Sequence, residues 1–277
     1  MDLNTIESVV RPRSRSELPD WRDGDACLAG GTWLFSEPQP GTRRLVDLAS
    51  LGWAPHSVDA DGLTLAATCT FAQLDRLDLP PAWAAAPLVG QCCRALLGSF
   101  KIWNTATIGG NLCLALPAGP MTALATALEA TCTIWSADGR ERRVPVTEFV
   151  FGPQRNALCP GEILRSLSIP AAALARRTAF RRISLSPNGR SGALLIGTRD
   201  PSGDFALTVT ASIKRPLRLA FDGLPDPAAL AKALDGTIPE TLYHDDVHGR
   251  PDWRHHVTRH LAREIRDALS EEAGRCG

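Results

Sequence analysis

The sequence predicts an α+β protein of roughly two or three packed units, and three observations lead to this expectation. The chain has 277 residues, which exceeds the usual size of one compact core. Short runs of β-type residues are mixed with longer apolar stretches typical of helices. From about Ala171 the pattern changes to several short strand-like runs followed by two helices, which indicates a separate α+β domain.

The first segment, residues 1–53, is predicted to form a small unit with the order strand, loop, helix and strand. Arg11-Pro12 indicates an extended entry to it. The apolar strand Cys27-Leu28-Ala29 runs directly into Gly30-Gly31-Thr32, and a second apolar run spans Leu45 to Leu48. We expect this segment to be the first domain.

The middle segment, residues 54–170, predicts strands and helices around a polar stretch. Thr70 and Gln73 have the spacing of a capping box that opens a helix. The polar, Gly-rich stretch Asn104 to Asn111 is predicted as a loop, and Asp138-Gly139 as the turn of a β-hairpin. Two apolar helices and a closing strand are predicted at residues 83–97, 123–130 and 162–169.

The last segment, residues 171–277, follows a linker predicted at Pro170 to Arg177. Strands are predicted at residues 179–184, 194–198, 205–213 and 217–221. The last helix is predicted from Asp252 to about Leu269 and carries an apolar residue at every fourth position from Trp253. We expect this stripe to pack on the sheet.

Charge and hydropathy exclude some function classes. Lys plus Arg (30) balance Asp plus Glu (30), so the broad positive field that nucleic-acid binding needs is missing, and nucleic acid is not an expected partner. The N-terminus lacks a signal-peptide pattern, and the longest apolar stretch is broken by prolines and glycine. We therefore expect a cytoplasmic protein without membrane insertion.

Metal sites have little support in the sequence. The eight cysteines have no C-x-x-C spacing, so small buried hydrophobes are a better interpretation than a disulfide framework, a zinc site or a cluster. His256, His260 and Glu264 share one helical face, but three arginines on the same helix favour a solvated or subunit-facing surface. We expect no metal in this chain.

Two glycine motifs carry the candidate chemistry. In Ala29-Gly30-Gly31-Thr32 the glycines permit positive φ, so backbone N–H groups converge on an anion beside a hydroxyl, as a phosphate or pyrophosphate requires. Thr105 to Asn111 has the same ingredients: hydroxyls, Gly109-Gly110 and an amide. Neither motif is G-x-G-x-x-G or a P-loop, so the ligand is not held as in those two nucleotide-binding sites. Because there are two such motifs, we expect an elongated ligand that is anchored at both.

In combination, motifs spread over nearly the whole chain resemble the FAD-binding subunits or domains of xanthine dehydrogenase, carbon monoxide dehydrogenase medium chains and related molybdenum hydroxylases. The resemblance implies two FAD-gripping α/β subdomains of the p-cresol methylhydroxylase type and a C-terminal domain covering the flavin. It rests on Arg11-Pro12 with Ser14 and Glu17, Ala29 to Thr32, Val46-Asp47-Leu48, Thr68 to Leu74, Asn104 to Asn111, Pro117-Ala118-Gly119, and Asp246 to His260.

The resemblance also implies positions for the cofactor-binding residues. Ala29, Gly30, Gly31, Thr32, Trp33 and Leu34 would wrap the pyrophosphate. The pyrophosphate, ribityl and flavin side would be lined by Thr107, Ile108, Gly109, Gly110, Asn111, Cys113, Ala118 and Gly119. Leu97 and Gly98 would lie near the cofactor, Leu164 near the adenine or ring, and Arg181 near the flavin edge. No catalytic side chain is implied.

Two positions depart from the family's usual pattern. Pro120 stands where an Asp is usual, and a proline cannot replace a carboxylate bonded to a ribose hydroxyl. Trp33 stands where a polar residue is usual. We expect either weaker FAD binding or compensation by Trp33, whose ring can cover the cofactor.

By resemblance, the chain passes electrons through FAD to an external acceptor. They come from [2Fe-2S] clusters on a small partner subunit, and a large partner subunit carries the molybdopterin. The implied assembly is a hetero-oligomer, with a dimer of heterotrimers as one arrangement. Two alternatives stay open: a flavin-free structural or assembly subunit, and a stand-alone FAD-dependent reductase such as an enolpyruvyl-sugar reductase.

Overall fold

The computed structural model describes residues 4–136 and 138–271, and a parallel sheet forms its first part. The strands are β1 (Ser8–Val10), β2 (Asp25–Leu28) and β3 (Arg44–Asp47), in the order β1-β3-β2. A 3-10 helix, Leu48–Leu51, follows β3 and packs with the buried Val46 into a small core. The apolar runs predicted in this segment are therefore confirmed as strands.

The middle segment is built on an antiparallel sheet whose strands, in spatial order, are β4 (His56–Asp59), β5 (Gly62–Ala66), β10 (Ile163–Pro170), β6 (Thr131–Trp135) and β7 (Glu141–Pro145). Its central strand β10 is eight residues long, and five of these residues are buried. The predicted hairpin is confirmed, since β6 and β7 pair across the turn. Two further strands, β8 (Val150–Gly152) and β9 (Arg155–Asn156), pair with each other in a separate two-stranded sheet.

Short helices cover this sheet. The capping box is confirmed: Thr70 Oγ1 accepts from the Gln73 N–H (3.2 Å), and Gln73 Oε1 accepts from the Thr70 N–H (2.9 Å). The helices are α1 (Phe71–Asp75), α2 (Ala86–Ala95), α3 (Phe100–Thr105), α4 (Ile108–Leu114), α5 (Pro120–Ala127), α6 (Val146–Phe149) and α7 (Ala171–Leu174).

Two sequence expectations about loops were wrong. The stretch Asn104 to Asn111 is not a loop, because α3 ends at Thr105 and α4 begins at Ile108. The Thr107 hydroxyl accepts from the Gly110 N–H (3.0 Å), and this N-cap offsets the poor helix propensity of the two glycines. Nor is Pro170 to Arg177 a free linker, since it contains α7, whose Leu174 is fully buried.

The last segment is an antiparallel meander with two helices. The strands β11 (Arg177–Ile183), β12 (Ala193–Arg199), β13 (Phe205–Thr210) and β14 (Leu217–Phe221) pair in sequence order. The helices are α8 (Pro227–Thr237) and α9 (Pro251–Glu271). The predicted stripe of α9 is confirmed, because Val257, Leu261, Ile265 and Leu269 are buried in one core with the sheet.

The middle and last segments share a core. Leu124 of α5 belongs to the same buried cluster as Leu194 and Ile196 of β12, and the Ala211 N–H donates to the carbonyl of Pro117 (2.8 Å). This packing brings the ends of the last sheet to the turn between α4 and α5. Among the described helices, none is long and apolar enough to cross a bilayer.

A tryptophan pair joins the first segment to the middle sheet. Trp53 and Trp135 meet edge to face with ring centroids 5.3 Å apart. The Arg165 guanidinium lies over both rings, 4.4 Å from the centroid of Trp53 and 5.6 Å from that of Trp135. The contact fixes the first sheet beside β6 and β10.

Candidate functional site

A cavity of about 850 Å³ lies where the three segments meet. This volume falls within the range of small-molecule and cofactor sites. The first segment contributes residues between Cys27 and Gln39, the middle segment residues between Phe71 and Pro120, and the last segment Asn188, Arg190, Ser191 and His248. The cavity is therefore closed on one side by loops of the C-terminal sheet.

The structure brings most of the sequence-predicted site residues together in this cavity. Both glycine motifs contribute, although they lie more than seventy residues apart in the chain. The predicted residues that line the cavity are Ala29, Gly30, Gly31, Thr32, Trp33, Leu34, Leu97, Gly98, Thr107, Gly110, Asn111, Cys113, Ala118 and Gly119.

Four predicted residues do not line the cavity. Ile108 and Leu164 are buried in the hydrophobic core, and a Cβ on Gly109 would lie 2.5 Å from the Cβ of Ala67, so this glycine serves close packing. Arg181 on β11 pairs instead with Glu264 of α9, with 3.0 Å between Nε and Oε2. The expectation that Arg181 lies near a flavin edge has no support in this geometry.

Sequence reasoning did not assign the C-terminal residues of the cavity. Asn188, Arg190 and Ser191 lie in the turn between β11 and β12, and His248 lies before α9. The Ser-Pro-Asn-Gly sequence at 186–189 signals a turn but carries no sign of a ligand. Other lining residues that were not assigned are Cys27, Ser36, Gln39, Phe71, Ala95, Leu96, Ile102, Ala106, Leu114, Leu116 and Pro120.

The first glycine motif forms a set of free backbone donors. Gly31 has φ +69°, a left-handed conformation that glycine adopts without strain. A single helical turn follows it, closed by the Phe35 N–H on the Gly31 carbonyl (2.8 Å). Within the described residues, the N–H groups of Thr32, Trp33 and Leu34 meet no acceptor, as expected for the first positions of a helical turn. These N–H groups can therefore receive an anion.

The second glycine motif has a different role from the one expected. The N–H groups of Ile108, Gly109, Gly110 and Asn111 donate to Cys69 O, Ala67 O, Thr107 Oγ1 and Thr107 O, respectively. Their donors are satisfied inside the protein, so the expectation that they receive an anion was wrong. The reason is that this motif begins a helix packed against residues 67–69 rather than forming an open loop.

Gly110 and Asn111 still line the cavity, and each can contact a ligand without using its backbone N–H group. Gly110 is exposed at the cavity, and an added Cβ would meet only the Thr107 hydroxyl, at 2.9 Å. The Asn111 side-chain oxygen accepts from the Met121 N–H at 3.0 Å, which orients the amide so that its NH₂ group is the free end. The motif therefore supplies space and one side-chain donor.

Pro120 and Trp33, the two departures from the family pattern, both line the cavity. Pro120 is the first residue of α5, a favoured helix position because its missing N–H has no helical acceptor. The next N–H, from Met121, is satisfied by Asn111. The first two residues of α5 therefore leave no backbone N–H group unpaired, although Pro120 provides no carboxylate to accept from one.

The cavity has little ionisable chemistry. Among its lining residues in the described chain, Arg190 is the single Lys, Arg, Asp or Glu. Burial raises the pKa of the Cys27 thiol to about 12 and raises that of Cys113 further. Both thiols therefore remain protonated near neutral pH and do not act as nucleophiles. The cavity is suited to binding rather than to acid–base or covalent catalysis.

Trp103, His260 and Arg254 do not line the cavity. Trp103 packs on the core, with its indole N–H on the Leu96 carbonyl (3.1 Å). In the described part of the chain no cluster of His, Cys, Asp or Glu has the arrangement of a metal site, and His260 pairs with Glu264 instead (3.1 Å). Arg254 is fully buried rather than part of a solvated arginine face.

The sequence matches the family model described as FAD binding domain in molybdopterin dehydrogenase over residues 5–172. The chain belongs to this family. Its cofactor is FAD, and the resemblance drawn from the motifs is confirmed. Relatives of this chain are named as subunits of dehydrogenases, which are oxidoreductases.

Curated relatives carry the names of dehydrogenase subunits. Caffeine dehydrogenase subunit beta of Pseudomonas sp. (strain CBB1) is 32% identical over 48% of this chain and 46% of its own length. The glyceraldehyde dehydrogenase medium chain of Sulfolobus acidocaldarius is 26% identical over 58% and 53%. In both cases the chain spans about half the length of the relative. The 6-hydroxypseudooxynicotine dehydrogenase complex subunit alpha of Paenarthrobacter nicotinovorans is 27% identical over 87% and 86%.

Solved structures establish the fold along the whole chain. Quinoline 2-oxidoreductase from Pseudomonas putida 86 matches with a TM-score of 0.80 at 22% identity, covering 99% of each chain. Carbon monoxide dehydrogenase from Hydrogenophaga pseudoflava matches with a TM-score of 0.80 at 20% identity, covering 98% and 99%. The predicted α+β fold, with a C-terminal part of sheet and helices after the FAD-binding region, is thereby confirmed.

The residues of the cavity fit FAD. The free N–H groups after Gly31 match a diphosphate, and the mainly apolar lining from residues 95–119 matches a flat aromatic ring. Gly110 leaves open the space that a Cβ would fill. The observation that decides the fit is the combination, in one cavity, of unpaired backbone donors after Gly31 with an uncharged lining from residues 95–119.

Proposed function

We propose that this chain is the FAD-carrying electron-transfer subunit of a molybdenum hydroxylase. It receives electrons from iron–sulfur clusters of a partner and passes them to an external acceptor. The observation that carries the proposal is a cavity with free backbone donors at Thr32, Trp33 and Leu34 and no carboxylate among its described lining residues. Such a site binds and orients a redox cofactor without performing acid–base chemistry.

The three segments have distinct roles in this proposal. Residues 1–53 hold the diphosphate by the backbone after Gly31, and residues 54–170 provide the wall around Thr107, Gly110 and Asn111. Residues 171–277 cover the cavity with the turn that carries Arg190. We propose these ranges as the three domains, because each contains a sheet of its own.

The chemistry divides between cofactor and chain. FAD supplies the redox centre when it is bound, accepting two electrons and releasing them singly or together. The chain's residues bind, orient and exclude water: Trp33 lies at the cavity wall, and the Cys27 and Cys113 thiols stay protonated.

The names of relatives support a set of partner subunits. The described residues offer no metal cluster site, and relatives are named as a subunit beta, a medium chain and a complex subunit alpha. We propose a large molybdopterin subunit and a small subunit with [2Fe-2S] clusters, assembled as a hetero-oligomer. A dimer of such heterotrimers is the arrangement we expect.

Purification of the chain alone, and together with the products of neighbouring genes, tests this function. We expect a yellow protein that releases FAD on denaturation and co-purifies with molybdopterin and iron–sulfur chains. In that complex, the flavin should be reduced by an organic substrate of the large subunit. A colourless complex that cannot be reconstituted with FAD would support a structural subunit, and NADPH oxidation by the chain alone would support a stand-alone reductase.

A further inference from the structure

A buried arginine at the start of α9 ties the C-terminal loops together. Arg254 has 1% of its surface exposed, and its guanidinium donates to the carbonyls of Gly249 (2.8 Å) and Gly192 (2.6 Å). It also donates to the Ala211 carbonyl and to Asp246 Oδ1. A buried charge is tolerated only when it is paired and hydrogen-bonded in this way.

The neighbouring tryptophan completes the same anchor. A Cβ on Gly192 would lie 2.4 Å from Cζ3 of Trp253, and a Cβ on Gly249 would lie 2.6 Å from Cε3 of the same ring. Both loops therefore lie on one indole, and only glycine leaves room for the contact. Trp253 fixes the loops from one side while Arg254 holds their carbonyls.

These anchor points adjoin residues that line the cavity. Ser191 precedes Gly192, and His248 precedes Gly249. Arg190, one residue further from the anchor, is exposed at the cavity, and its guanidinium has no acceptor among the described residues. An unpaired cation at a site for an anionic cofactor is available for charge-assisted hydrogen bonds.

We propose that Arg254 is a positioning residue that holds Arg190 against the FAD, where the Arg190 guanidinium balances negative charge on the cofactor. This inference rests on the proposed function of the cavity. The charge is carried by the diphosphate, or by the isoalloxazine ring, which gains negative charge on reduction. A cation at the diphosphate raises the affinity for FAD, whereas one at the ring raises the flavin midpoint potential.

Three variants of the full chain test the coupling: Arg190→Gln, Arg254→Lys and the double variant. Lysine keeps a positive charge beside Asp246 but cannot reproduce the four hydrogen bonds. Fluorescence titration gives the Kd for FAD, and redox titration gives the midpoint potential. We expect each single variant to weaken FAD binding about tenfold or to lower the potential. The double variant should match the more impaired single variant, because the residues act as one unit.

A second substitution guards against misfolding of the Arg254 variant. Gly192→Ala introduces a methyl against the Trp253 ring and displaces the loop while the buried guanidinium remains. It should reproduce the Arg254→Lys effect. The matched control is Arg266→Lys, on the same helix, whose Nε donates to the Pro225 carbonyl (3.0 Å) away from the cavity. This control should bind FAD as the wild type does.

The outcomes separate this inference from the proposed function. Wild-type protein that binds no FAD overturns both. If the wild type binds FAD, and the Arg190→Gln and Gly192→Ala variants have the wild-type Kd for FAD and the wild-type midpoint potential, only the inference is overturned. Additive effects in the double variant also overturn it, since independent contributions would mean that Arg254 does not act through Arg190.

Discussion

Gly30 lies directly against the backbone of Thr105, so that a Cβ built on the glycine would be 1.8 Å from the Thr105 carbonyl oxygen. This contact joins the first glycine motif to Thr105, which is the last residue of α3 and the first residue of the second motif. The two motifs therefore meet through backbone packing. This contact requires a residue without a side chain at position 30.

We expect Gly30→Ala to destabilise the chain even without FAD. The added methyl would overlap a backbone carbonyl that cannot rotate away, and overpacking of this kind costs about 1 to 3 kcal/mol or more. Urea unfolding of the apo-protein measures the change. Gly41→Ala is the matched control, because a Cβ at Gly41 meets nothing within 4 Å. Equal stability of the two variants would contradict the contact.

Gly110→Ala should separate cofactor binding from stability. The substitution improves helix propensity by about 1 kcal/mol and disturbs the Thr107 cap, which costs about the same. The apo-protein should therefore unfold within about 1 kcal/mol of the wild type, while the methyl in the cavity weakens FAD binding roughly tenfold. Unchanged FAD affinity would show that Gly110 does not face the cofactor.

Arg181→Gln should leave FAD binding within about twofold of the wild type. Its guanidinium pairs with Glu264, and both side chains are about 40% exposed, so loss of the pair costs at most about 1 kcal/mol of stability. Glu264→Gln should behave in the same way. A large loss of FAD affinity in the Arg181 variant but not in the Glu264 variant would support a position of Arg181 near the flavin edge.

Stability should fall as the pH drops below 6.5 because of His244. Burial lowers its pKa from the usual 6.5, and this effect outweighs the nearby Asp246 carboxylate. Below 6.5 the unfolded chain binds a proton that the folded chain does not, so the contribution is complete above 6.5 and is lost towards the lower folded pKa. The other charged groups that act on this imidazole are Arg254, Lys214 and Asp245.

Urea unfolding at pH 7.5 and 5.5 measures this effect. The wild type should lose more stability between the two pH values than His244→Gln, because the variant lacks the titrating group. Groups common to both proteins cancel in the comparison. The account of His244 fails if the two proteins lose stability equally.

Local signals in the sequence predicted much of the fold. The Thr70 and Gln73 capping box, the turn at Asp138-Gly139 and the four-residue stripe of α9 each depend on neighbours in the chain. The positive φ expected in the first glycine motif was also predicted correctly, at Gly31, since a strand ending in Gly-Gly constrains its own backbone. Its role toward the diphosphate stays a prediction.

Long-range contacts explain what the sequence did not predict. The amides of Ile108 and Gly109 are satisfied by Cys69 and Ala67, some forty residues earlier, and no local pattern indicates this pairing. Arg190 and His248 line the cavity from two separate loops, and the nearby carbonyls of Gly192 and Gly249 both accept hydrogen bonds from Arg254. The family resemblance placed Arg181 at the flavin, whereas packing of α9 on β11 engages it elsewhere.

The comparison of FAD and riboflavin affinities in wild type and Gly31→Ala tests the central claim most directly, namely that the free N–H groups after Gly31 hold the diphosphate. Riboflavin lacks phosphate, so wild type should bind FAD at least about a hundredfold more tightly. Alanine at φ +69° should weaken FAD binding roughly tenfold and leave riboflavin binding unchanged. Equal affinities for the two ligands in the wild type, or no effect of the substitution, would contradict the account.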